Sequence, residues 1–154
     1  MRCAARPRYD PGGEVTTMDA QGKRVLLVED DRFLRRVHEV GLRKHGFTVL
    51  TAVDGEDGLQ VARAERPDLI LLDMVMPKLQ GFEVLRILKA EAATASIPVI
   101  VLSSLGSQGD MQAALDCGAA SYLVKSNLGA QELVRKIQEA LEAQPGSGAG
   151  AARP

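Results

Sequence analysis

Cysteine is nearly absent from this chain: Cys3 and Cys117 make neither a disulfide framework nor a metal-ligand cluster, and a reducing cytoplasm is the expected setting. An excess of charge is missing too. Nineteen basic and twenty acidic residues leave a formal net charge of −1, so no global field selects nucleic acid or an anionic membrane, and binding has to come from a local site. No apolar run is long enough to span a bilayer, and no apolar segment of signal-peptide type follows Arg2, Arg6 and Arg8. Neither membrane insertion nor export is expected. A glycine-rich phosphate loop is also lacking, because Gly55 and Gly58 have neither the partners nor the spacing, and there is no repeat of solenoid length.

What the chain does have is a short apolar run that stops at an acid, and it has it twice. In residues 67–81 (P-D-L-I-L-L-D-M-V-M-P-K-L-Q-G), Leu69 to Leu72 show no polar alternation, the mark of a strand covered on both faces, and Asp73 follows at its C-terminal end. Open α/β sheets place their chemistry at that end of the strands. Pro77 and Gly81 then confine the residues after Asp73 to a tight loop. The earlier run, Val25 to Val28, ends in Glu29, Asp30 and Asp31.

Between and after these runs, elements alternate. Leu34, Val37 and Gly41 give a helical pattern over 32–45 that Gly46 ends, with Arg32, Arg35, Arg36, Arg43 and Lys44 on its solvated face. A β-prone stretch spans 47–53, Asp54-Gly55 reads as a turn, and Leu59 with Ala62 carries a short helix. Phe82, Val84, Leu85 and Leu88 mark a third helix, and 97–102 is a strand that runs into Ser103-Ser104. Residues 106–118 read as a helix with Met111, Ala114 and Leu115 inward, 122–124 as a strand ending at Lys125, and Leu133, Ile137 and Leu141 as a last helix. Five strands alternating with five helices predict a doubly wound, five-stranded parallel sheet, since parallel neighbours need crossover connections. Residues 1–22, rich in Pro and Gly, are expected to form a disordered tail, with Met18 an alternative start to Met1. Residues 23–143 form the domain, and 144–154 are a flexible Gly/Ala-rich tail.

The strand ends bring Glu29, Asp30, Asp73, Ser103 and Lys125 to one edge of such a sheet. Clustered carboxylates repel unless a cation neutralises them, and incomplete oxygen coordination suits Mg²⁺ with a phosphate as a further ligand. Asp73 is then a candidate nucleophile forming an acyl phosphate, with Ser103 donating a hydrogen bond and Lys125 supplying positive charge. Each has a plainer alternative. Asp73 could be a turn former, Glu29 or Asp30 a helix cap, Ser103 a strand-end hydroxyl, and Lys125 a solvated charge.

In this order, V-L-L-V-E-D-D (25–31), D-M-V-M-P-K-L-Q-G (73–81), P-V-I-V-L-S-S (98–104) and G-A-A-S-Y-L-V-K (118–125) resemble the receiver domains of two-component response regulators, including the small chemotaxis type. The resemblance covers about 23–143. It implies a flavodoxin-like sheet with Asp73 as phosphoacceptor, served by a sensor histidine kinase or histidine phosphotransfer protein and acting on a downstream target protein. It further implies Mg²⁺ held by Glu29, Asp30, Asp73 and the backbone carbonyl of Val75, Asp30 being a direct ligand. Ser103 corresponds to the switch hydroxyl, Tyr122 to the aromatic that turns inward after it, and Lys125 to the family's lysine. Such a domain catalyses only its own phosphoryl transfer and dephosphorylation and is not otherwise an enzyme. Direct nucleic-acid binding is not expected, because no helix-turn-helix length remains beyond the receiver-like segment.

Two readings compete with the switch: a receiver-like scaffold working without phosphorylation, and a phosphoaspartyl phosphatase. The phosphatase calls for a second acid where Val75 stands and for a substrate cap that no insertion provides. Ser126 stands where the family usually has a cis proline, which leaves the Lys125 loop geometry open. Val75 and Leu105 are apolar where polar side chains in some members orient attacking water. Slow self-dephosphorylation is therefore expected. Decay of labelled protein should be slower than in members with polar residues at both places and faster in a Val75→Asn, Leu105→Glu double variant; equal decay in all of them contradicts the idea.

Overall fold

The computed structural model describes residues 22–74, 80–104, 108–125 and 128–143. The two expected tails, apart from Gly22, fall outside the described residues, as do Val75, Leu105 and Ser126. The strands are β1 (Arg24–Val28), β2 (Thr48–Ala52), β3 (Leu69–Asp73), β4 (Val99–Ser103) and β5 (Ser121–Val124). Between and after them run α1 (Arg32–Lys44), α2 (Gly55–Glu65), α3 (Gly81–Ala90), α4 (Gln108–Asp116) and α5 (Ala130–Ala143). All strand pairs are parallel, in the order β2-β1-β3-β4-β5. The expected doubly wound sheet is present.

The apolar runs explain the layering. Every residue of β3 and β4 is buried, because helices cover both faces and leave no solvent side to alternate with. One set of side chains, including Leu26, Val28, Ile70, Leu72, Val99 and Val101, packs with Leu59 of α2, Val84 and Leu88 of α3 and Ala114 of α4. The opposite set, including Val25, Leu27, Leu69, Leu71, Ile100 and Leu102, packs with Leu42 of α1 and Leu133 and Ile137 of α5. Successive strand residues alternate between the two clusters, as a period of two requires.

Helix details depart from the sequence expectation in three places. In α1, Val37 is 48% exposed while the polar His38 takes an inward position beside Gly41 and Leu42, and Gly46 ends the helix at φ 96°. The His38 Nδ1 is buried without a hydrogen-bond partner among the described residues, and burial holds this imidazole below its usual pKa, opposed by the Glu29 charge and aided by that of Lys125. Asp54-Gly55 opens α2 rather than forming a turn: the Asp54 carboxylate accepts from the Asp57 N–H at 2.9 Å, which satisfies one orphan donor of the first turn. In α4, Ala114 is buried but Leu115 is 40% exposed, because the helix presents a narrow apolar stripe to the sheet.

The α3–β4 connection places the strand that ends in Ser103. Thr94, fully buried, donates from Oγ1 to the Leu88 carbonyl at 2.7 Å, one of the last carbonyls of α3 that have no partner within the helix. Lys89 Nζ donates to the carbonyls of Ala95 and Ile97 at 3.0 and 2.8 Å, and burial lowers its pKa. Thr94→Val keeps the shape and deletes the donor. It is expected to cost about 1–2 kcal/mol in denaturant titration; a midpoint indistinguishable from wild type contradicts this account of the loop.

Candidate functional site

Glu29, Asp30, Asp73, Ser103 and Lys125 converge at the C-terminal edge of the sheet. Strands β1 and β3 are neighbours, with Val28 opposite Leu72, so the acids that follow β1 lie beside the acid that ends β3. Glu29, Asp30 and Asp73 each offer an oxygen within 4.8 Å of the others. Glu29 and Asp73 are buried, at 1% and 4% exposure, whereas Asp30 faces solvent. Lys125, just past β5, lies between the two buried acids, its Nζ 3.0 Å from Glu29 Oε1 and 3.1 Å from Asp73 Oδ1.

The helix-capping alternative for Glu29 and Asp30 falls to their neighbour. Asp31 accepts from the Leu34 N–H at 3.0 Å as the N-cap of α1, and its own N–H donates to Glu29 Oε2 at 3.2 Å. Arg35, expected on the solvated face, reaches back instead: its Nη1 donates to the Glu29 carbonyl at 2.8 Å and lies 3.4 Å from the Asp30 carbonyl. Sequence reasoning missed this, although helical side chains lean toward the N-terminus and Arg35 stands five and six positions after the acids. Gly81 acts on the other side of the site. A Cβ there would sit 2.6 Å from the Asp73 carbonyl oxygen and 2.7 Å from Met74 Cα, so only glycine lets α3 start so close to the main chain of Asp73. The Gly81 N–H closes this turn on the Met74 carbonyl at 3.1 Å.

Ser103 is fully buried as the last residue of β4. Tyr122 of β5 pairs with Val101, two residues before Ser103, on the same face of the sheet. The residue is 8% exposed and already belongs to the apolar cluster with Ala114 and Ala119, where an inward turn was the expected response. The Val75 carbonyl and the bond from Lys125 to Ser126 lie outside the described residues.

The electrostatics follow from burial and like charge. Desolvation and the Glu29 charge push the Asp73 carboxyl up to about 6, and Lys125 offsets only part of this. Burial pulls Lys125 down, but its hydrogen bond to Glu29 and the Asp73 charge prevail, and its pKa is raised. The donor set is all oxygen. Carboxylate oxygens are the ligand type that Mg²⁺ takes, and the three acids lie close enough together to serve one ion after side-chain adjustment.

Known proteins share the sequence pattern and the fold. Residues 25–138 match the family described as "Response regulator receiver domain". The chain is 44% identical over 118 residues to a gliding motility regulatory protein of Myxococcus xanthus, covering 77% of this chain and 15% of the relative. It is 42% identical over 101 residues to the transcriptional regulatory protein AfsQ1 of Streptomyces coelicolor, covering 66% and 44%. It thus spans less than half of either curated relative. Among solved structures, the chemotaxis protein CheY4 of Vibrio cholerae aligns with TM-score 0.73 at 28% identity, over 77% of this chain and 98% of that one. The receiver domain of sensor histidine kinase PA1611 from Pseudomonas aeruginosa, described with a magnesium ion coordinated in its active-site cleft, aligns with TM-score 0.73 at 33% identity, over 79% and 99%. Among the described residues no helix is long and apolar enough to cross a membrane.

A folded-state pKa above the 3.8 of an ordinary aspartate means that protonation of Asp73 favours folding, so stability falls as pH rises from about 4 through about 6. Asp73→Asn cannot ionise. In metal-free buffer it is expected to exceed wild type in stability at pH 7 by at most about 3 kcal/mol, with the advantage gone by about pH 4. Parallel stability profiles of the two proteins across that range contradict the assignment.

Proposed function

Because the chain belongs to the response regulator receiver domain family, we propose that it is a phosphorylation switch that takes a phosphoryl group onto Asp73 from a phosphohistidine. The donor is a sensor histidine kinase or a histidine phosphotransfer protein, and the output is a changed affinity for a downstream target protein. The observation that carries this reading is the triad of carboxylate oxygens within 4.8 Å, with Lys125 between the two buried ones.

An Asp73 carboxylate oxygen attacks the phosphorus; a P–O bond forms as the P–N bond to the donor's imidazole breaks, and the imidazole leaves carrying the bond's electron pair. With a pKa near 6, Asp73 is mostly the anion this needs at neutral pH. Glu29, Asp30, Asp73 and the Val75 carbonyl would hold Mg²⁺, which when bound neutralises charge on the transferring oxygens. Lys125 stands within 3.1 Å of Asp73 and can follow the new dianion, leaving Glu29 to the cation. Ser103, buried at the neighbouring strand end, would be the hydroxyl that turns toward the phosphoryl group. Tyr122 shares its face of the sheet, so the movement of Ser103 would favour the inward ring position over an outward one and repack the surface around α4 and α5. The domain turns over no external substrate in this reading.

Incubation with a small acyl phosphate and Mg²⁺, followed by intact mass, tests it. Wild type should gain one phosphoryl group and Asp73→Asn none. No gain in wild type moves the reading to a phosphorylation-independent scaffold, and steady turnover of external phosphoesters moves it to a phosphatase.

A further inference from the structure

We propose that Arg35 is a positioning residue for the cation: it holds the main chain of the loop between β1 and α1 so that Glu29 and Asp30 face Asp73. The inference rests on the acid cluster being the Mg²⁺ site of the phosphorylation switch.

The loop is three residues long and tied at each. The Glu29 N–H donates to the Ala52 carbonyl of β2 at 3.1 Å, and its carbonyl accepts from Arg35 at 2.8 Å. The Asp30 carbonyl is 3.4 Å from the same Nη1, and Asp31 caps α1. Among the described residues no side chain bonds the Asp30 carboxylate, so its direction is set by its main chain, and Arg35 is the one side chain that reaches that carbonyl.

Arg35 also carries a charge, and its two effects on a dication have opposite signs. As a nearby positive charge it repels the ion, and its removal should tighten binding. As a tether it orients ligands in advance, and its removal should loosen binding. The geometry favours the tether, because the guanidinium is spent on neutral carbonyls of the ligand-bearing loop, not on a carboxylate.

Calorimetric Mg²⁺ titration of the full chain distinguishes these effects. Arg35→Gln is expected to weaken Mg²⁺ binding about ten-fold or more, and Arg35→Lys, which keeps the charge and one reaching donor, to recover part of it. Arg36→Gln removes the neighbouring charge from a side chain 74% exposed and should leave the affinity little changed. Unchanged or tighter binding in Arg35→Gln overturns the proposal, as does a lowered melting temperature of the metal-free variant with unaltered affinity. If wild type takes up phosphoryl groups and Arg35→Gln still binds Mg²⁺ normally, this inference alone fails. If wild type binds no Mg²⁺ and takes up no phosphoryl group, the switch reading fails with it.

Discussion

Like charge packed at one edge of a sheet is the constraint on which the rest of the structure depends. Glu29 and Asp73 are almost fully withdrawn from water, and Asp30 stands within reach of both. Carboxylates in that arrangement repel and lose hydration, which is why the Asp73 carboxyl is pushed up. Lys125 relieves the repulsion only in part. An edge left short of positive charge suits a dication.

The scaffold holds this cluster by backbone. Strand β3 is buried along its length, and its pairing with β1 and β4 fixes the height of Asp73. Gly81 lets α3 begin against the Asp73 main chain, and Arg35 with Asp31 fixes the loop after β1. Side chains stand on this frame: the Lys125 amine between the two buried acids, and the buried Ser103 on the same face of the sheet as Tyr122.

The strands were legible because burial on both faces leaves an unbroken apolar run, and each run here stops at a polar residue. The parallel order came from alternation with helices, and the site from placing each stop at the same edge. Helix faces were less legible. An apolar count puts Val37 and Leu115 inward, whereas the inward position at α1 goes to His38 and the single buried residue of α4 is Ala114; tertiary packing chose by position, not by hydropathy. Asp54-Gly55 reads as a turn because a cap and a turn use the same residues, and only the hydrogen bond to the Asp57 N–H separates them. Arg35 was read as solvated because a long basic side chain usually is; its actual partners are carbonyls, which a sequence does not label.

Lys125 bonds Glu29 across 96 positions of the chain, and it comes after the final strand. Until β5 docks against β4, the earlier strands carry their acids without the ammonium that tempers them. Assembly of this edge therefore waits on a contact of long sequence separation, and such contacts form slowly. A nascent chain in which β5 has not yet formed holds the acid cluster without its ammonium, so the tempered charge of this edge and completion of the sheet arrive together.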